Sequence, residues 1–308
     1  MLTRQKILLR LLGDNDGQCS KLQLTKLSFL LAREGRSDHL KTFYEFVPYK
    51  FGPYSFTLAH ELGSLSKEGL VSMTEENQIE LTAKGKKLSK QTLEVRLSRD
   101  IELLHQNYSN IEQKKLIDLV YKKFPWFTAN SQFPSKRKAR KVTAKFVNYT
   151  IGYQAFQVDG LLNRLLESGI KCLIDTRSNP ISRRYGFHKS TLSKLSDLVG
   201  IKYEHHPEVG IPSSWRQELH TDNEYKILFK RYESEILKEA KGSVKSLAAA
   251  MKEEPTALLC RESLARHCHR TVLAKRLQEI NNLEIVDLTP TDEEQNQPLI
   301  KFNCILLS

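Results

Sequence analysis

Ile170-Lys-Cys-Leu-Ile-Asp-Thr-Arg-Ser-Asn-Pro-Ile-Ser-Arg-Arg184 begins as a short apolar run and ends as a charged loop. A second stretch repeats the design, with Ala257-Leu-Leu259 running into Cys260-Arg-Glu-Ser-Leu-Ala-Arg-His-Cys-His-Arg270. Short apolar runs bounded by polar loops are the pattern of strands covered on both faces, and such strands build parallel sheets. In open α/β sheets, ligands bind in the crevice beyond the carboxyl ends of the strands. Two strand ends loaded with carboxylates, guanidinium groups, thiols and imidazole therefore predict one composite site for an anionic substrate.

The surrounding sequence alternates in the same way. Strands are predicted at Thr150–Tyr153, Ile170–Ile174, Ile201–His205, Ala257–Leu259 and Glu284–Leu288. Helices are predicted at Val158–Leu166, Lys189–Leu198, Glu224–Lys241, Val244–Met251 and His269–Leu277. Strands alternating with helices predict an α/β domain with a mainly parallel sheet.

The N-terminal part reads differently. Apolar residues recur at helical spacing over Lys6–Leu12, which Asp14-Asn-Asp-Gly17 stops, and again over Leu22–Leu31. A strand-like Tyr44–Tyr49 precedes Gly52-Pro53, read as a structure breaker, and Ser55 is an N-cap for a helix carrying Leu58, Leu62 and Leu65. Leu70–Met73 and Gln78–Leu81 flank the polar turn Glu75-Glu-Asn77, and Thr82 caps Ala83–Lys90. Helix, helix, strand, helix and two-stranded wing is the order of a winged helix-turn-helix. A further helix is predicted over Glu112–Val120.

With 308 residues the chain has room for two domains, each with its own core. The expected division is 1–130 for the winged helix, 131–146 for a basic linker and 147–308 for the α/β domain. The net charge of +12 predicts a polyanionic partner, nucleic acid before a membrane surface, and the winged-helix order favours DNA. Lys136, Arg137, Lys138, Arg140 and Lys141 are the expected phosphate contacts, because each cation that neutralises a phosphate releases a counterion. No apolar run is long enough for a bilayer, no secretory leader is evident, and five scattered cysteines fit reduced thiols. A cytoplasmic protein with no membrane partner is expected.

Two resemblances add to this reading. Lys21-Leu-Gln-Leu-Thr-Lys-Leu27 and Tyr49-Lys-Phe-Gly-Pro-Tyr-Ser55, with the Leu-rich helix after them, look like the N-terminal domain of Panacea- or SocA-type proteins. That resemblance implies a DNA- or partner-binding role and no catalytic residues. Thr150-Ile-Gly-Tyr153, Asp175-Thr-Arg177 through Pro180, Ser182, Arg183, Phe187, Glu208-Val-Gly210 and Cys260-x-Glu262…Cys268-His-Arg270 resemble the DUF488 family. This implies a compact α/β domain with a polar site. Arg261 stands where family members often carry a small residue.

Asp175 and Glu262, each just past a buried strand, are expected to share one cleft with Arg177 as a carboxylate pair for glycosidic chemistry. Arg177, Ser182, Arg183, Arg184, His269 and Arg270 are expected to hold phosphate, helped by the helix N-terminus that begins at His269. Cys260-x5-Arg266 matches the form of a phosphatase loop, although the segment lacks glycine and Glu262 would repel a phosphate. Cys260, His267, Cys268 and His269 invite a zinc reading, but adjacent Cys268 and His269 are expected to diverge, so no metal and no cofactor are predicted. His206 is a candidate for facing the cleft, and Trp126 and Phe127 are expected in a core rather than on bases.

The function these expectations favour is hydrolysis of an N-glycosidic bond to a modified base in DNA, in repair or anti-phage defence. The alternatives are a nucleotide-sensing transcription regulator, and phosphoryl transfer through Cys260, with Cys268 as a further candidate thiol.

Overall fold

The computed structural model describes residues 1–139, 142–216 and 219–290. They divide into two compact units, the first ending and the second beginning around residues 140–141.

The first unit begins with α1 (Thr3–Asp14), β1 (Gln18–Ser20) and α2 (Lys21–Glu34). The hairpin of β2 (Val47–Tyr49) and β3 (Gly52–Tyr54) follows, then α3 (Phe56–Lys67), β4 (Val71–Met73), β5 (Gln78–Leu81) and α4 (Ala83–Ser89). Two more helices, α5 (Val95–Tyr108) and α6 (Gln113–Lys123), complete it. β1, β5 and β4 form an antiparallel sheet in that order. The N-caps expected at Ser55 and Thr82 are present, each side-chain oxygen accepting a backbone N–H of its helix.

Four expectations need correction here. β1 went unrecognised because three residues carry too little pattern to read. Gly52-Pro53 does not end structure but pairs with Tyr49 and Pro48 in the hairpin, and residues 44–46 lie outside its strands. Helix α5, with Leu97, Ile101 and Leu104 buried, is an element not expected from the sequence. Part of the expected linker packs on the first unit: Arg137 donates to the Ser131 carbonyl at 2.6 Å, and the Lys138 N–H to Thr128.

Lys26 is buried with its Nζ donating to the Pro53 carbonyl at 2.8 Å, which ties α2 to the hairpin. Burial without an opposing charge pulls its pKa down to about 7. Phe127 packs in the core and Trp126 lies partly buried against it, as expected.

The second unit is α/β. In chain order it runs β6 (Asn148–Gly152), α7 (Val158–Glu167), β7 (Cys172–Asp175), α8 (Lys189–Leu198) and β8 (Lys202–His205). It continues with α9 (Asp222–Tyr232), α10 (Lys241–Glu253), β9 (Thr256–Cys260), α11 (His269–Asn281) and β10 (Ile285–Asp287). All five strands are parallel, in the order β10-β6-β9-β7-β8. Cys172, Ile174 and Leu258 pack with Val244 and Leu247 of α10 and Leu273 and Leu277 of α11. The alternate residues Leu173 and Leu259 are just as buried, so these strands are covered on both faces. That accounts for their unbroken apolar runs. Tyr153 was read as the end of the first strand but begins a 3-10 turn beyond it. Among the described residues no helix is long and apolar enough to cross a membrane.

Candidate functional site

β7 and β9 are neighbours in register, Asp175 opposite Leu259, so Asp175 and the Cys260–Glu262 segment emerge at the same carboxyl edge. They do not form one open cleft. Asp175 is fully buried. Its Oδ1 accepts from Arg177 Nε at 2.8 Å, and its Oδ2 accepts from Arg177 Nη2 at 2.5 Å and from the Tyr203 hydroxyl at 2.6 Å. Arg177 also donates to the Phe187 carbonyl at 2.9 Å, and its guanidinium lies over the Tyr153 ring. The Asp-x-Arg motif is thus a closed bidentate pair with its hydrogen-bonding capacity consumed inside the protein.

Glu262 sits otherwise. Its side chain is 22% exposed, and Oε1 accepts from Arg216 Nη1 at 2.6 Å. Oε2 lies 3.2 Å from the sulfurs of both Cys260 and Cys268. Cys260 Sγ is 3.6 Å from His269 Nδ1, which also takes a 2.7 Å contact from Arg216 Nη2. His269 Nε2 faces the Thr176 carbonyl at 3.1 Å and the Thr176 hydroxyl at 3.2 Å. A guanidinium can only donate, so Nδ1 carries the lone pair and Nε2 the proton given to Thr176. Tyr232 packs edge-on against the imidazole.

This cluster has its own electrostatics. Burial raises the Cys260 thiol, while the hydrogen bond with Cys268 and the charge of Arg216 pull it down. Burial and the neighbouring Cys260 charge raise the Glu262 carboxyl against the pull of Arg216. Cys268 is raised by burial and by donating toward Cys260.

Backbone geometry holds the loop in place. A Cβ on Gly152 would stand 1.9 Å from the Glu262 carbonyl, so only glycine at the end of β6 lets the loop pass. Gly210 is hemmed in likewise by the backbone of Ser178 at 2.3 Å. Arg270 is fully buried, donating to the Glu262 carbonyl at 2.5 Å and to Ser263, Asp287 and Thr289.

Several expected ligands of phosphate are therefore occupied elsewhere. Arg177 and Arg270 are internal braces. Arg184 donates to the carbonyls of Tyr153, Gln154 and Phe156 and lies over the Phe187 ring, and Ser182 accepts the Arg184 N–H. Arg183, Arg261 and Arg266 are exposed. In the segment with the form of a phosphatase loop, His267 and Cys268 give their N–H groups to the carbonyls of Leu264 and Ala265. His206 lies between Glu204 and Glu208. Lys136 pairs with Asp118 at 2.5 Å, Arg137 and Lys138 are exposed, and Arg140 and Lys141 fall outside the described residues.

The expectation that Cys268 and His269 diverge is overturned. Donor atoms of Cys260, Cys268 and His269 all lie within 4.8 Å of one another. Cys268 is the extended N-cap of α11, at φ −126° and ψ 132°, and His269 is its first helical residue. The change of backbone conformation between them turns successive side chains to one side.

Arg216 is the residue sequence reasoning missed. It ends a short 3-10 turn, Ser213–Arg216, in the loop after β8. The rule that drew attention to the loops after β7 and β9 applies equally there. Comparison with known proteins gives one result: no curated protein and no solved structure matches the chain, and residues 157–277 match the family described as "Domain of unknown function DUF488".

Proposed function

We propose that the protein is a DNA-acting enzyme whose second unit hydrolyses an N-glycosidic bond to a base, with Glu262 as the proton-handling carboxylate. The observation that carries this reading is the contrast at one sheet edge. Glu262 is partly exposed and fixed by Arg216 and two thiols, whereas Asp175 has no exposure. A two-carboxylate mechanism thus reduces to one carboxylate. Glu262 orients and deprotonates the attacking water as the C1′–N bond breaks and passes that proton to the departing base, and Arg216 beside it holds the anionic strand. Asp175 supports the loop that carries Arg183. A base within a duplex would have to be flipped out to reach this edge.

The first unit supplies the DNA contact in this account. The succession α1-β1-α2-α3-β4-β5 with an antiparallel β1-β5-β4 sheet fits a winged helix-turn-helix. α3 would enter the groove, with the small residues Gly63 and Ser64 and the exposed Lys67 on its less buried side. Phe51 and Phe133, 40% and 38% exposed, contact each other beside Lys50, Lys136, Arg137 and Lys138. Exposed aromatic rings among cations suit stacking on unpaired bases.

Incubation with duplexes carrying modified or ordinary bases, followed by detection of abasic sites, tests the reaction. Abasic sites are expected from the wild type and not from Glu262→Gln. If the wild type binds duplex and yields none, a regulator that binds without cleaving is the better account. Thiol-dependent transfer is a second reading, favoured by the 3.6 Å approach of Cys260 to His269 Nδ1. The full burial of Cys260 weighs against it, because reactive thiols are partly exposed. Retained activity in Cys260→Ala would remove it.

A further inference from the structure

We propose that Cys260, Cys268, His269 and Glu262 form a tetrahedral binding site for a divalent metal ion of the zinc class. The inference does not depend on the hydrolytic reading. Two buried thiols and a buried imidazole converge from the end of β9, the residue before α11 and the first residue of α11, and Glu262 Oε2 approaches both sulfurs from the loop between.

The spacing suits an ion at the centre. Zinc bonds of about 2.3 Å to sulfur and about 2.0–2.1 Å to nitrogen or oxygen give tetrahedral edges of about 3.5 Å. The corresponding separations are 3.6 Å from Cys260 Sγ to His269 Nδ1, and 3.2 Å from Glu262 Oε2 to each sulfur. Cys260, Cys268 and His269 already have their donor atoms within 4.8 Å of one another, and Glu262 would move toward His269 to complete the set. Two thiolates favour zinc and other soft ions over magnesium or calcium.

The support around the ligands has the form that metal sites require. A ligating histidine gives its second ring N–H to a carbonyl or carboxylate, which fixes its tautomer. His269 does so through Nε2 to the Thr176 carbonyl, leaving the Nδ1 lone pair directed toward the sulfurs. Arg270 anchors the backbone of Glu262 from beneath. Charge balances as well: two thiolates and one carboxylate carry three negative charges, which one divalent ion and the Arg216 guanidinium neutralise.

Arg216 also sets the terms of entry. Its Nη2 stands 2.7 Å from the Nδ1 lone pair that the ion would take, so the ion must displace it from His269. The link to Glu262 Oε1 need not break, because that oxygen is not the one facing the sulfurs. Arg216 therefore competes with the metal for one ligand. Glu262, as the ligand with solvent exposure, is the position a substrate would displace.

The test uses the full chain, purified under reducing conditions, with zinc content measured and cobalt(II) substituted. We expect about one equivalent of metal per chain. The cobalt form should show a sulfur-to-cobalt charge-transfer band and the visible absorption of a tetrahedral centre. Cys268→Ser and His269→Gln should lose the band and most of the metal, while Cys19→Ser keeps both. Arg216→Gln should tighten binding by about tenfold or more, within the range for groups surrounding a metal site. Should the variants fail to fold, the cobalt spectrum of the wild type decides. A folded, reduced wild type that takes up neither metal overturns the proposal, and so does cobalt bound without the sulfur band. The two proposals fail separately: a cobalt band without abasic-site formation removes the hydrolytic reading alone, and abasic sites without the band remove the metal site alone.

Discussion

The ends of β7 and β9 lie side by side at one sheet edge, and each carries a carboxylate within two residues of its strand. At β7, Asp175 meets a guanidinium two residues on and a tyrosine hydroxyl from the adjacent strand, and every partner lies inside the protein. At β9, Glu262 meets two thiols and an arginine that arrives from another loop, and part of the carboxyl reaches solvent. The first arrangement is complete as it stands. The second gathers groups that repel, attract and exchange protons in one small volume. A strand-end carboxylate is thus no sign of chemistry by itself; what matters is whether its hydrogen-bonding capacity is already consumed.

The largest effect that sharpens this contrast is expected at Asp175. Asp175→Asn removes the counter-charge of Arg177, which is only 6% exposed, and should cost about 3–5 kcal/mol in denaturant unfolding. A loss below about 1 kcal/mol would mean that the pair is not structural.

Lys26 is the control from the first unit, a buried charge with no opposing partner. Its pKa near 7 in the folded protein lies below the ordinary value of 10.5, so the unfolded chain binds more protons between those limits. Stability of the first unit should therefore rise as pH climbs through that window, on the order of 2 kcal/mol. Below the lower limit lysine is charged in both states and the slope vanishes. Lys26→Met should flatten the profile in thermal melts followed across that range.

Tyr203→Phe should cost about 1.5–3 kcal/mol, one hydrogen bond to a charged group, without altering any reaction. Glu262→Gln should change stability by less than about 1 kcal/mol, because its ion pair with Arg216 is partly exposed to solvent.

The α/β architecture was legible because the strands of the second unit are buried on both faces and so write themselves as apolar runs, as at Ile170–Ile174 and Ala257–Leu259. β1 and the β2–β3 hairpin were not, since three-residue strands have no period to detect. Which carboxylate is sealed was also beyond the sequence. Asp175 is closed off by Tyr203, whose position depends on the pairing of β7 with β8. Arg216 joins Glu262 across 46 residues, a distance no local motif spans. The divergence expected of Cys268 and His269 at a helix start fails because Cys268 is extended at φ −126° and ψ 132°, which brings its sulfur to the side that His269 faces.

The most direct measurement follows abasic-site formation on a modified-base duplex by wild type, Tyr203→Phe and Glu262→Gln, at a temperature where circular dichroism shows all three folded. Activity in Tyr203→Phe within about twofold of wild type, with a loss of about 10²–10⁴-fold in Glu262→Gln, is the result predicted for a missing acid–base group. Equal activity in all three, or a loss confined to Tyr203→Phe, would contradict the assignment of the reaction to the β9 end.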